Sequence, residues 1–168
     1  MNELILLTDG SVEPLSKIGY GAYLAVSEPG LSLEVLKDRV KLKQFNPTSS
    51  TKLELQTVLW ALTDIQVSEQ KIIVYTDSQN ILGLKERRVR FEENDYRGRN
   101  KKRLNNFELY QAFFKISDEL NCEFVKVRGH QVSNQKNDID KLFSLVDRAS
   151  RAALRSHYAD NLLKEMEK

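Results

Sequence analysis

The chain has 168 residues, 40% of them apolar and 30% charged, the proportions of one compact domain that buries a core without disulfides or a structural metal. A single cysteine, Cys122, excludes a disulfide framework and a cysteine-based zinc site. With no targeting signal at the N-terminus and no apolar run long enough for a bilayer, it points to a cytoplasmic protein without a membrane partner. The net charge of +2 hides a division, because residues 1–80 carry 7 basic and 10 acidic side chains whereas residues 81–168 carry 19 and 14.

Leu4 to Leu7 is a short apolar run ending in Thr8-Asp9-Gly10-Ser11, and Gly19 to Val26 alternates as a second strand. A third strand is expected within Leu31 to Phe45. Asn46 to Thr51 supplies turn and N-cap residues before a helix over Leu53 to Val67, whose apolar positions recur at helical spacing. Lys71 to Thr76 is a β-branched strand that stops at Asp77-Ser78-Gln79, with a helix over Asn80 to Arg88 after it. Leu104 to Leu120 reads as helix, Cys122 to Val127 as a strand ending at Arg128-Gly129-His130, and Ile139 to Met166 as a long helix. Three strands in succession followed by βαβ units predict an α/β domain over 1–168. Its mixed five-stranded sheet has three antiparallel strands and then parallel ones, with strands one, four and five adjacent.

That order brings Asp9, Asp77 and His130 to the carboxyl ends of neighbouring parallel strands, where open α/β sheets place their sites. On the first long helix Glu54 falls within about 40° of Val58, Ala61 and Ile65, on the face that should be buried. On the last helix Asp147 falls within about 40° of Phe143 and Leu154. Buried carboxylates without a cation on their face are costly. Four converging on one pole repel one another unless divalent ions lie between them, and oxygen-only donors select Mg²⁺ or Mn²⁺ over zinc. Taken singly, Asp9-Gly10 reads as an ordinary turn and Asp77-Ser78 as an ordinary helix N-cap.

Five segments in chain order resemble the ribonuclease H family: Thr8-Asp9-Gly10-Ser11, Lys52-Leu53-Glu54-Leu55, Tyr75-Thr76-Asp77-Ser78-Gln79, Val127-Arg128-Gly129-His130 and Val146-Asp147-Arg148-Ala149-Ser150-Arg151. The resemblance covers nearly the whole chain. It implies an endonuclease that hydrolyses the RNA strand of RNA/DNA hybrids with two Mg²⁺ ions, Mn²⁺ being the alternative, and leaves 3′-OH and 5′-phosphate ends. It implies that Asp9, Glu54, Asp77 and Asp147 hold the ions, Asp9 bridging them, and that His130 assists the reacting water or product departure. Two-metal hydrolysis needs no protein nucleophile, in keeping with the lack of a Ser/His/Asp or Cys/His pairing. The spacing of 17 residues between His130 and Asp147 leaves Asp138 and Asp140 as alternative fourth carboxylates, and residues 131–140 read as an extended mobile loop.

The resemblance also places a basic handle after the second helix. Here the segment Gly83 to Arg103 holds nine cations, Lys85, Arg87, Arg88, Arg90, Arg97, Arg99, Lys101, Lys102 and Arg103, against four acids. Such a cluster, with Phe91 and Tyr96 interspersed, suits sequence-independent contact with phosphates. Gly10, Ser11, Ser49, Ser50 and Gln79 match positions that read the RNA 2′-hydroxyl, Ser50 standing where an amide residue is usual. Arg148, Arg151 and Arg155 form a stripe beside Asp147 for further phosphate contact. The expected form is a monomer. The rivals are a DNA-directed nuclease or strand-transfer enzyme of the same fold, and a catalytically silent nucleic-acid-binding module. Trp60 should pack on a neighbouring helix, with Cys122 and His157 structural or incidental.

Overall fold

A computed structural model describes residues 3–28, 30–65, 69–127 and 138–167. The elements in order are β1 (Glu3–Glu13), β2 (Ile18–Val26), α1 (Leu33–Lys37), β3 (Lys41–Phe45), α2 (Ser50–Asp64), β4 (Lys71–Thr76), α3 (Gln79–Leu82), α4 (Leu84–Glu93), α5 (Phe107–Glu119), β5 (Cys122–Lys126) and α6 (Asp138–Met166). The sheet has the order β3-β2-β1-β4-β5. Strands β1 to β3 are antiparallel, and β1, β4 and β5 are parallel, as the element order predicts.

Side chains alternate across the sheet, and each face is covered. Leu4, Leu6, Ile72 and Val74 face α2 and α5, where they meet Leu55, Val58, Leu62, Phe113 and Phe114. Leu7, Ala22 and Leu24 face α1 and α6, where they meet Leu36, Phe143 and Val146. Helix α2 lies unusually close to the β1–β2 hairpin because glycines stand beneath it. A Cβ at Gly10 would come within 2.9 Å of Leu53 Cγ, one at Gly19 within 2.9 Å of Leu53 Cδ2, and one at Gly21 within 3.1 Å of Thr57 Cβ. This approach sets the depth of Glu54, which follows Leu53.

Several expectations change. Strand β1 runs six residues beyond Leu7, because β2 continues to pair with it from Thr8↔Tyr23 to Glu13↔Ile18 after the β4 partnership ends at Leu7↔Tyr75. A short helix, α1, precedes the third strand. Its N-cap Ser32 accepts from Val35 N–H, and Leu36 anchors it in the core. The helix expected over Asn80 to Arg88 is two, divided at Gly83. Asp138 to Asp140, expected in a loop, form the first turn of α6; the remainder of that loop lies outside the described residues. Trp60 meets strand residues edge-on, Tyr23 at 4.8 Å and Phe45 at 6.3 Å between ring centroids. Among the described residues no helix is long and apolar enough to cross a membrane.

Candidate active site

The site forms where β1 outruns β4. Asp9 lies two residues past the last β1–β4 pair, and Asp77 follows Thr76 at the end of β4. Thr8, Asp9, Gly10, Glu54, Thr57, Thr76 and Asp77 line one small depression. Asp9 shares the α6 face of the sheet with its partner Ala22, and Asp147 reaches it from α6. Glu54 comes from α2 on the opposite face. The carboxylates therefore approach the sheet edge from both layers.

Burial lifts the Asp9 carboxyl well above the ordinary range, to about 8, with the charge of Asp77 and a side-chain hydrogen bond and charge from Asp147 adding to it. The backbone N–H of Gly10 opposes the rise. Asp9 and Asp147 are thus near enough for their like charges to oppose each other's ionisation. Burial also raises Glu54, assisted by the charge of Asp77 and opposed by Ser78, whose Oγ donates to Glu54 Oε2 at 2.7 Å. Asp147 Oδ1 accepts from Arg151 Nε at 2.9 Å, one helical turn on.

Of the alternatives for the fourth carboxylate, Asp138 lies at the far end of the sheet, in a depression with Ile5, Val26 and Leu31, whereas Asp147 is beside Asp9. Asp140 is buried one turn short of Phe143. His130 lies outside the described residues.

The 2′-hydroxyl candidates divide. Gly10 is where α2 touches the sheet. Ser49 caps α2 by accepting from Lys52 N–H, and Ser50 and Gln79 are exposed at the first turns of α2 and α3. Ser11 turns instead to α6, its Oγ 3.1 Å from Ser150 Oγ. Ser78 was legible only as a cap, and it is that: it accepts from Ile81 N–H while its own proton goes to Glu54.

The basic segment is a folded unit, a helix and a hairpin. Tyr96 is buried, and Phe91 packs 5.1 Å from Tyr110, so the two aromatics belong to the core rather than to a stacking surface. Arg87 binds Asn80 O, Asn80 Oδ1 and Gly83 O, joining α3 to α4. Arg88 forms a fork with Asp118 at 2.6 and 2.7 Å, pairs with Glu92 and lies over Phe114. Arg97 and Arg103 share Asp95 and pair across the hairpin. Arg99, Lys101 and Lys102 stand exposed at its tip, and Lys85 is exposed on α4. Arg148, Arg151 and Arg155 are exposed along α6.

The family model for RNase H matches residues 1–148, most of the chain. The chain belongs to the ribonuclease H family. This places it among the ribonuclease H hydrolases. It is 25% identical over 150 residues to the Ribonuclease H of Caldicellulosiruptor saccharolyticus, covering 84% of this chain and 94% of that one. It is 24% identical over 147 residues to the Ribonuclease H of Ruthia magnifica, covering 86% and 95%. The fold matches the solution structure of the PFV RNase H domain with a TM-score of 0.70 at 16% identity, over 90% of this chain and 93% of that one. It also matches LC9-RNase H1, described as a type 1 RNase H with the type 2 active-site motif, with a TM-score of 0.66 at 15% identity, over 90% and 72%.

Ribonucleases H generally use divalent metal ions, and the donor chemistry here suits one. The site offers carboxylate oxygens, and the burial and crowding that raise Asp9 and Glu54 are relieved by a hard cation. Among the described residues no three His, Cys, Asp or Glu side chains are grouped to hold a metal; Glu54 accepts from Ser78 and Asp147 pairs with Arg151.

Proposed function

We propose that this ribonuclease H hydrolyses the RNA strand of RNA/DNA hybrids endonucleolytically with two divalent ions, Mg²⁺ or in its place Mn²⁺, leaving 3′-OH and 5′-phosphate ends. The observation that carries the reading is the crowding of Asp9 against Asp77 and Asp147, with Glu54 also facing Asp77. Asp9, which lies against both Asp77 and Asp147, would be the carboxylate shared between the ions, the role the family resemblance implies for it. Glu54, Asp77 and Asp147 complete the donor set. When bound, the ions supply Lewis-acid activation of water for in-line attack and neutralise charge on the leaving 3′ oxygen.

The protein's part is placement. Ser78 aims Glu54, the β1–β4 pairing stops two residues short of both Asp9 and Asp77 so that they meet where β1 runs on, and α6 carries Asp147 to the opposite flank. Exposed Ser49, Ser50 and Gln79 border the site and are the contacts proposed for the RNA strand. His130 is assigned proton movement during product release, in line with the near-neutral reference pKa of histidine. Exposed Lys85, Arg90, Arg99, Lys101 and Lys102 are the handle cations assigned to the DNA backbone, with Arg148 and Arg155 on α6. The proposal extends to a monomer acting in the cytoplasm.

The test is cleavage of end-labelled RNA/DNA, RNA/RNA and DNA/DNA duplexes in Mg²⁺ and in Mn²⁺ by the wild type and by Asp77→Asn. Hybrid-selective cleavage that the substitution reduces by about 10²-fold or more supports the reading. Preference for duplex DNA, no cleavage in either metal, or cleavage undiminished in Asp77→Asn overturns it.

A further inference from the structure

Helix α6 spans 29 residues, about 43 Å at 1.5 Å per residue, and the family match ends at residue 148, one position past Asp147. The helix beyond that point is tied to the β1–β2 hairpin by polar contacts from three of its side chains. Nearest the site, Ser150 is fully buried; its Oγ donates to Asp147 O at 3.0 Å, leaving its lone pairs to accept from Ser11 Oγ at 3.1 Å. A relay therefore runs from the residue two after Asp9 to the backbone of Asp147. Two turns further along, Tyr20 Oη and His157 Nδ1 are 3.2 Å apart, and Asn161 Nδ2 lies 3.0 Å from His157 Nε2. Beside them Tyr158 Oη donates to Glu13 Oε2 at 3.2 Å and contacts Ser16 Oγ, while Glu13 also accepts from the backbone N–H groups of Leu15 and Ser16.

Asp9 and Asp147 come from sheet and helix respectively, and they repel when both are ionised. Apolar packing around Val146 holds the helix against the sheet, and the hydrophobic force behind it is itself non-directional. Hydrogen bonds of defined direction fix both translation and rotation. We propose that the segment of α6 after Asp147 is a clasp whose contacts, Ser11–Ser150, Tyr20–His157 and Glu13/Ser16–Tyr158, hold Asp147 in register with Asp9 so that the pair is preorganised for a divalent cation. Ser11, Ser150, His157 and Tyr158 are then positioning residues, and Ser11 serves this tie instead of the RNA 2′-hydroxyl. The inference rests on the proposed metal-dependent reading of the site.

The test compares wild type with Ser150→Ala, Tyr158→Phe and their combination. Each change removes a hydroxyl and keeps the packing volume, and Leu163→Ala at an exposed position outside the clasp is the control. Mn²⁺ binding to the free protein is measured by titration calorimetry, and kcat and KM for the hybrid are measured across a Mg²⁺ series. The clasp predicts a three- to tenfold weaker Mn²⁺ affinity in the double variant, a matching rise in the Mg²⁺ needed for half-maximal rate, kcat restored at high Mg²⁺, and hybrid KM within twofold of wild type. Ser11→Ala should reproduce the Ser150→Ala effect and Ser11→Thr, which keeps the hydroxyl, should rescue it. Metal affinity unchanged from wild type in folded variants, or a kcat loss that Mg²⁺ does not restore, overturns the clasp while leaving the activity standing. A wild type that neither binds Mn²⁺ nor cleaves the hybrid overturns the reading of the site and the clasp with it.

Discussion

One hydroxyl joins α3 to the carboxylate of α2: Ser78 Oγ accepts from Ile81 N–H at 3.1 Å and donates to Glu54 Oε2 at 2.7 Å. Ser78→Ala removes an N-cap worth about 1 kcal/mol of stability. It also removes the bond that lowers the Glu54 pKa against the upward pull of burial and Asp77. The acidic limb of the pH–rate profile should therefore move to higher pH, and urea unfolding should show the stability loss. Ser78→Thr, which keeps the hydroxyl, should restore both. An unmoved acidic limb in Ser78→Ala would show that Glu54 does not need this partner.

Asp9 makes the metal-free protein pH-sensitive. Its carboxyl is raised from 3.8 to about 8 by burial, Asp77 and Asp147, so the folded state retains a proton that the unfolded chain releases. Stability present below the unfolded value of 3.8 is thus lost as pH rises towards about 8. In the presence of chelator, Tm should fall across that window. Asp9→Asn, with no proton to lose, should match wild type at the acid end and exceed it at the alkaline end. Mg²⁺ should invert the comparison, since an ion bound only by the folded state stabilises by about 2.7 kcal/mol at a hundred times its Kd. Scanning calorimetry with and without Mg²⁺ checks both; parallel pH profiles for the two proteins would contradict the assignment.

Gly21 lies under Thr57, and an added Cβ would meet Thr57 Cγ2 at 3.0 Å and Cβ at 3.1 Å as well as its hydroxyl. Threonine is branched at Cβ and buried here, and its Oγ1 donates to Leu53 O at 2.7 Å, so it has little room to turn. Gly21→Ala should push α2 outward at a cost of about 1–3 kcal/mol. Activity should fall by more than that stability loss accounts for, because Glu54 moves with the helix. Denaturant melts and single-turnover cleavage by the folded fraction separate the two effects.

The handle cations should sort into two groups. Replacing Arg99, Lys101 and Lys102 together by Ala should leave Tm unchanged and flatten the dependence of log K for the hybrid on log salt, by about 0.7–0.9 for each phosphate that is no longer neutralised. Arg88→Ala should lower Tm, because it removes the Asp118 fork and the packing over Phe114, with little change in that slope. Binding measured with Asp77→Asn across a salt series, together with thermal melts, distinguishes them.

Local pattern carried much of this protein. Strand β4 is bounded as its β-branched run predicts, the strand order follows from the succession of hairpin and βαβ units, and Glu54 was conspicuous because a carboxylate occupied an apolar helical face. The bounds of β1 were less legible, because its extension past Leu7 is polar and is held by pairing with β2 rather than by its own periodicity. Helix α1 was missed for a similar reason. It is five residues long and anchored by the single buried Leu36, too short to show a repeat.

The neighbours of each charge were not legible at all. Arg88 reads like any other cation in the basic run until Asp118, 30 residues away, closes on it. Phe91 and Tyr96 read as exposed aromatics until α5 covers them, and Ser11 as a substrate contact until Ser150, 139 residues away, takes its hydroxyl. Helical and strand periods are set by the backbone within a few residues, so the amino-acid order alone settles which side chains face inward and at which strand ends the acids stand. Burial, ion pairing and hydrogen bonding depend on distances of a few ångströms between segments remote in the chain. Only the packed sheet and helices decide that Asp147 rather than Asp138 stands beside Asp9, and which cations remain exposed for a phosphate backbone.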